Sequence, residues 1–250
     1  MKIQKLILII LILLFTTLVA LMTFANNPHS EKAHATKDWS SYINFRSEAK
    51  PRALFQKVLK GYFAKTNDSL IRRAVNFGSG SGKEDIQLVK MGWEVLGVDS
   101  CLLSSQIIQE QTKIYQGKYV SFVGSFEKAK LAGTYDLIMS FYSLPFMQKQ
   151  HLEDLLQTIN IHLKEEGVFV VNFLGLNHEF VKKEKAFGLS QKELFLLMLN
   201  NGFEIIEFNN KVYKAKSFTS KEKLINWDVL EVVARKKGAL KIYGAQKLDY

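Results

Sequence analysis

From Ala74 to Gly82 the chain reads Ala-Val-Asn-Phe-Gly-Ser-Gly-Ser-Gly, and an amphipathic stretch beginning Lys83-Glu84-Asp85-Ile86 follows. A short apolar segment therefore runs into Gly78, Gly80 and Gly82, spaced two apart. Glycine adopts φ > 0 without steric cost and lets backbone come close to a ligand. The next apolar segment, Glu94-Val95-Leu96-Gly97-Val98, ends in Asp99. A carboxylate at that point can accept hydrogen bonds from both hydroxyls of a ribose. The G-x-G-x-G spacing departs from the G-x-G-x-x-G fingerprint of dinucleotide sites. A nicotinamide-dependent oxidoreductase is accordingly the weakest of the readings considered.

Strand–loop–helix units of this kind need a sheet to hold them. Strand-like runs recur at Ala74–Phe77, Glu94–Asp99, Tyr119–Val123, Tyr135–Ser140, Val168–Leu174, Glu204–Phe208 and Leu230–Ala234. Helix-like spacing recurs at Arg52–Phe63, Lys83–Met91, Leu102–Tyr115, His151–His162 and Ser190–Asn200. Alternation of strand and helix predicts an α/β fold, Rossmann-like and doubly wound. Its seven strands form a mostly parallel sheet with helices on both faces, preceded by an N-terminal hydrophobic helix. Ligands of such sheets bind at the carboxyl ends of the strands, near the point where strand order reverses.

The glycine pattern followed by an acid-terminated second strand resembles the class I methyltransferases. Further along, Phe122-Val123-Gly124-Ser125-Phe126-Glu127 follows the third strand, and Tyr135–Ser140 leads into Phe141-Tyr142-Ser143-Leu144-Pro145-Phe146. The second passage resembles small-molecule methyltransferases of the tellurite-resistance and thiopurine type. It lacks the Asn/Asp-Pro-Pro-Tyr/Phe signature of enzymes that methylate nucleobase or glutamine nitrogens. Leu163–Val168 and Asp228–Lys237 agree, so the resemblance spans about residues 50 to 237.

The resemblance implies S-adenosylmethionine as cofactor and a small-molecule methyl acceptor. It implies a cofactor site of Asn76, Gly78, Ser79, Gly80, Gly82, Asp99, Ser100, Ser125, Phe126 and Ser140. Ser125 would meet an adenine nitrogen, and Phe126 either covers a ring face or belongs to the core. Asn76 departs from the family, which usually has an acid two residues before the first glycine. Asn keeps one acceptor oxygen but loses the charge that helps hold the cofactor ammonium. A catalytically degenerate, membrane-tethered binding module is therefore the alternative reading.

Methyl transfer from a sulfonium is an in-line displacement that asks the protein chiefly to align the acceptor. A base is needed only where the acceptor arrives protonated. Tyr142, Ser143 and His151 lie beyond the fourth strand and are the catalytic candidates. Tyr142 suits a pocket wall and His151 a helix start.

Residues 1–25 form a signal peptide or a transmembrane anchor, 26–50 a linker, and 51–250 the methyltransferase-like domain. Lys2 and Lys5 precede Leu6–Phe24, which carries no charge. Nineteen helical residues span about 28 Å, close to the hydrocarbon core of a bilayer. An uncleaved anchor places the protein at a membrane, while cleavage after Thr23-Phe24-Ala25 would release it as a secreted protein. The net charge of +10 is spread over scattered lysines, a pattern expected of a solvated face rather than of specific nucleic-acid binding. Cys101 is the only cysteine, so no intrachain disulfide forms and no disulfide-linked partner is required. The Cys and His positions lack metal-ligand spacing, and no metal is expected.

Overall fold

The computed structural model describes residues 39–46, 49–64, 71–217 and 220–238. In chain order these form α1 (Ser40–Arg46), α2 (Ala53–Tyr62), β1 (Arg73–Phe77), α3 (Lys83–Lys90), β2 (Glu94–Asp99), α4 (Leu102–Thr112) and β3 (Lys118–Val123). There follow β4 (Tyr135–Ser140), α5 (Leu152–His162), β5 (Leu163–Leu174), α6 (Glu179–Lys182), α7 (Gln191–Asn200), β6 (Phe203–Ser217) and β7 (Ser220–Lys236). The apolar run Leu6–Phe24 lies outside the described residues. Among those described, no helix is long and apolar enough to cross a membrane.

One sheet carries all seven strands in the order β3-β2-β1-β4-β5-β7-β6. Strand alternation sends successive β1 side chains to opposite faces. Val75 and Phe77 join Ile138, Phe169 and Val171 under the apolar sides of α5 and α7. Ala74 joins Leu137, Met139, Val168 and Val170 under α2 and α3, where Phe55, Val58, Leu88 and Val89 are buried. Both faces of β1 are thus covered, and its carboxyl end is the edge left for a ligand. α7 starts where its cap predicts: Ser190 Oγ accepts from Glu193 N–H at 3.2 Å while Glu193 accepts from Ser190 N–H at 2.7 Å.

Two expectations need correction. The sheet is mixed rather than mostly parallel: β5–β7 and β6–β7 pair antiparallel, alongside the parallel pairings of β1–β2, β1–β4, β2–β3 and β4–β5. β6 and β7 follow one another almost directly, and a connection that short joins only antiparallel neighbours. They also run far past the segments legible as strands, because Asn209–Lys214 is exposed on this long hairpin and shows no apolar alternation. The stretch expected to be linker contains α1, whose Ile43 is buried.

Candidate functional site

Gly78, Gly80 and Gly82 all have positive φ, at 88°, 54° and 72°. Two of them are also closely packed. A Cβ on Gly78 would collide with Ser143 Oγ, and one on Gly82 with the side chain of Ile108 in α4. Gly80 differs, for its Cβ position meets nothing nearer than 4.0 Å. The loop is therefore pinned at both ends and open in the middle.

Asp99 closes that opening from the neighbouring strand. Its Oδ2 accepts from Gly80 N–H at 2.8 Å and its Oδ1 from Cys101 N–H at 2.9 Å. Burial pushes the carboxyl above its ordinary range, while the backbone bonds from Cys101, Gly80 and Ser100 pull it back. A carboxylate offers about four acceptor sites, so capacity remains beyond these three backbone donors. Ser100 itself is exposed and contributes through its backbone.

Below the loop lies a buried polar cluster. Asn76 Nδ2 donates to Asp85 Oδ2 at 2.6 Å, and Ser79 Oγ donates to Asp85 Oδ1 at 3.2 Å. Asp85 is wholly buried in the first turn of α3. Burial pushes its carboxyl up to about 7, against the lowering effect of the bond from Asn76; nearby Glu84 adds to the rise and the Ser79 bond opposes it. Asn76 Oδ1 is buried with no hydrogen-bond partner among the described residues. Glu84, equally buried, holds Arg52 through a 2.9 Å ion pair and accepts from Arg52 N–H at 2.9 Å, fixing the start of α2 to α3.

The other expected residues divide. Phe126 packs edge-on against Phe77 at 5.7 Å and lies beside Gly78, so it belongs to the core and also borders the loop. Ser125, just before it, is exposed. Ser140 is buried and donates to Phe77 O at 2.8 Å, tying the ends of β4 and β1 together. Ser143 donates to Phe141 O at 3.0 Å and stands against Gly78. Tyr142 carries a left-handed φ of 57° and packs edge-on against Trp227 at 5.8 Å. Burial raises its phenol, and Tyr213 and Glu231 add to the rise. His151 is not brought into this group. It precedes α5, and its Nε2 lies 3.2 Å from Gln150 Nε2 near the surface.

Tyr142 also lines a cavity of about 590 Å³ bounded by α1, the start of α2, β5 and the β6–β7 hairpin. Arg46, Arg52, Asn172 and Lys211 of its lining did not stand out in the sequence, nor did Asp85 beneath the loop. Only their placement by the sheet makes them neighbours.

A family model for tellurite resistance protein TehB matches residues 69–225, more than half of the chain. The chain belongs to the TehB family. No functionally curated protein matches it. Among solved structures it is similar to TehB from Haemophilus influenzae, with a TM-score of 0.61 at 14% identity over 78% of this chain and 67% of that one. It is similar to magnesium protoporphyrin IX methyltransferase (ChlM) from Synechocystis PCC 6803 with bound S-adenosylhomocysteine, with a TM-score of 0.60 at 13% identity over 80% and 95% of the two chains. The N-methyltransferase NodS from Bradyrhizobium japonicum WM9, in complex with S-adenosylhomocysteine, gives 0.60 at 12% identity over 80% and 97%. At these identities the likeness is one of fold, and that fold is the class I methyltransferase fold. The G-x-G-x-G loop of this TehB-family chain sits where the sequence placed it, at the end of β1.

Proposed function

We propose that this TehB-family protein transfers a methyl group from S-adenosylmethionine to a small-molecule acceptor. The observation that carries the reading is the bond from Gly80 N–H to Asp99. It places a carboxylate with spare acceptor capacity beside Gly80, whose side-chain position is open while those of Gly78 and Gly82 are filled.

The residues present suit the cofactor. Asp99 would accept from a ribose diol, Phe126 borders the loop with an aromatic ring, and the orphaned Asn76 Oδ1 calls for a donor. Asp85 of α3 stands beneath position 76 and accepts from both Asn76 and Ser79. When bound, the cofactor would supply an electrophilic sulfonium methyl for in-line displacement by the acceptor, with the thioether as leaving group. The chain's own part is to hold the acceptor. Tyr142 packs against Trp227, carries a left-handed backbone and lines the cavity, next in sequence to Ser143, which stands against Gly78. Its raised phenol stays protonated at neutral pH, so it positions rather than takes a proton. We also retain Leu6–Phe24 as the segment that tethers or exports the protein, a reading supported by its uncharged sequence.

Incubation with S-adenosylmethionine and a panel of small thiols and other soft nucleophiles, with S-adenosylhomocysteine measured by mass spectrometry, tests the activity. Acceptor-dependent release of S-adenosylhomocysteine is expected. Cofactor binding without turnover on any acceptor would favour the degenerate binding module, for which Asn76 is the motivating feature.

A further inference from the structure

The cavity beside Tyr142 has a composition that selects its occupant. Four cations line it, Arg46, Arg52, Lys211 and Lys216, against the single carboxylate Glu231. Arg52 is neutralised by Glu84 and Lys211 by Glu231 at 2.8 Å. Arg46 and Lys216 have no ion-pair partner among the described residues. Two cations without an ion-pair partner at the border of one cavity give it an excess of positive charge, which favours an anionic ligand.

Its other walls are flat. Tyr213 and Trp227 lie with their rings parallel to within 3° at 6.1 Å, and Tyr142 stands edge-on to Trp227. Arg52 lies over Phe141 and Tyr142, at 5.4 and 5.6 Å from their ring centroids. Aromatic faces and edges of this kind take a planar ring by offset or edge-to-face contact. Asn172, almost fully buried in β5, lines the same space with Oδ1 unpartnered among the described residues. Its amide offers a hydrogen bond to a polar substituent on that ring. The volume of about 590 Å³ is in the range of small-molecule sites.

We propose that this cavity binds a planar aromatic carboxylate of one or two rings carrying a hydroxyl or amino substituent, with Arg46 and Lys216 taking the carboxylate. The proposal rests on the methyltransferase reading in making this ligand the acceptor; the residues that line the cavity are distinct from those of the glycine loop, so the two are tested separately.

The test titrates the full chain with 3-hydroxy-2-naphthoate and with its neutral amide, following tryptophan fluorescence, and titrates S-adenosylhomocysteine in parallel by calorimetry. The carboxylate should bind at least tenfold more tightly than the amide. Arg46→Gln and Lys216→Gln should each weaken the carboxylate at least fivefold and leave the amide and S-adenosylhomocysteine unchanged. Equal affinity for carboxylate and amide, or carboxylate affinity unaltered in both variants, overturns the proposal. Carboxylate binding with no S-adenosylhomocysteine binding would keep the cavity assignment and defeat the methyltransferase reading. S-adenosylhomocysteine binding with no carboxylate binding would do the reverse.

Discussion

Asn76 and Asp85 face each other under the glycine loop, the amide nitrogen donating to Oδ2 at 2.6 Å. The carboxyl end of β1 thus presents an amide at position 76, and an acid stands opposite it on α3. The two residues form one unit, and the sign of its pH response follows from burial. The Asp85 carboxyl, raised to about 7 in the fold from 3.8, favours folding fully below about pH 4. That contribution is lost as pH rises through 7, and the shift corresponds to roughly 4 kcal/mol. Urea unfolding at pH 5 and pH 8 should show the wild type losing stability relative to Asp85→Asn. Parallel pH profiles for the two proteins would contradict the assignment.

His178 acts in the opposite sense. It is buried, accepts from Phe180 N–H through Nδ1 at 3.0 Å, and packs edge-on to Trp227 at 4.9 Å. Burial lowers its pKa to about 4, against Asp228 and Glu179, which raise it. The neutral ring contributes fully above about pH 6.5, and stability falls as pH drops toward 4, by about 3 kcal/mol. Between pH 4 and 6.5 the two groups offset each other, so removing Asp85 should expose the acid lability due to His178. A proton NMR titration of the histidine ring signals checks this directly, and a His178 signal titrating near 6.5 would refute it.

The glycine loop predicts a steric result. Gly82→Ala would place a Cβ against Ile108 at a φ of 72°, costing about 1–3 kcal/mol from overpacking and about 1–2 kcal/mol more from the left-handed backbone. Ile108→Ala, which removes both Cγ1 and Cδ1, should therefore cost less in the Gly82→Ala background than in the wild type, while the backbone contribution stays. Thermal unfolding of the single and double variants separates the two, and an Ile108→Ala cost equal in both backgrounds would show that the contact is not limiting.

What the sequence disclosed, and what it hid, follows from where each signal resides. Gly78, Gly80, Gly82 and Asp99 were legible because residue type itself encodes the geometry: positive φ for the glycines, a carboxylate at a strand end. For Phe126 the sequence is compatible with pocket or core, and the structure packs it against Phe77 at the border of the glycine loop. Asp85 was hidden because an acid in the first turn of an amphipathic helix ordinarily faces water and complements the helix dipole. The outer part of β6 was hidden because Asn209–Lys214 is exposed and no apolar alternation marks it, although Ile225, Trp227 and Val229 of the facing β7 are buried on one face. α1 spans only Ser40–Arg46 in a polar context, too short for periodicity to register.

Asp99→Ala removes the carboxylate that accepts from Gly80 and Cys101. It should weaken S-adenosylhomocysteine binding by about 1–3 kcal/mol through lost charge-assisted hydrogen bonds. Affinity unchanged in a variant of wild-type thermal stability would displace the site from this loop.

Calorimetric titration of the full chain with S-adenosylmethionine tests the central claim most directly. One site per chain with a dissociation constant on the order of micromolar, about −8 kcal/mol, is the predicted result. Absence of binding heat at several temperatures, in a chain that unfolds cooperatively, would contradict the methyltransferase account.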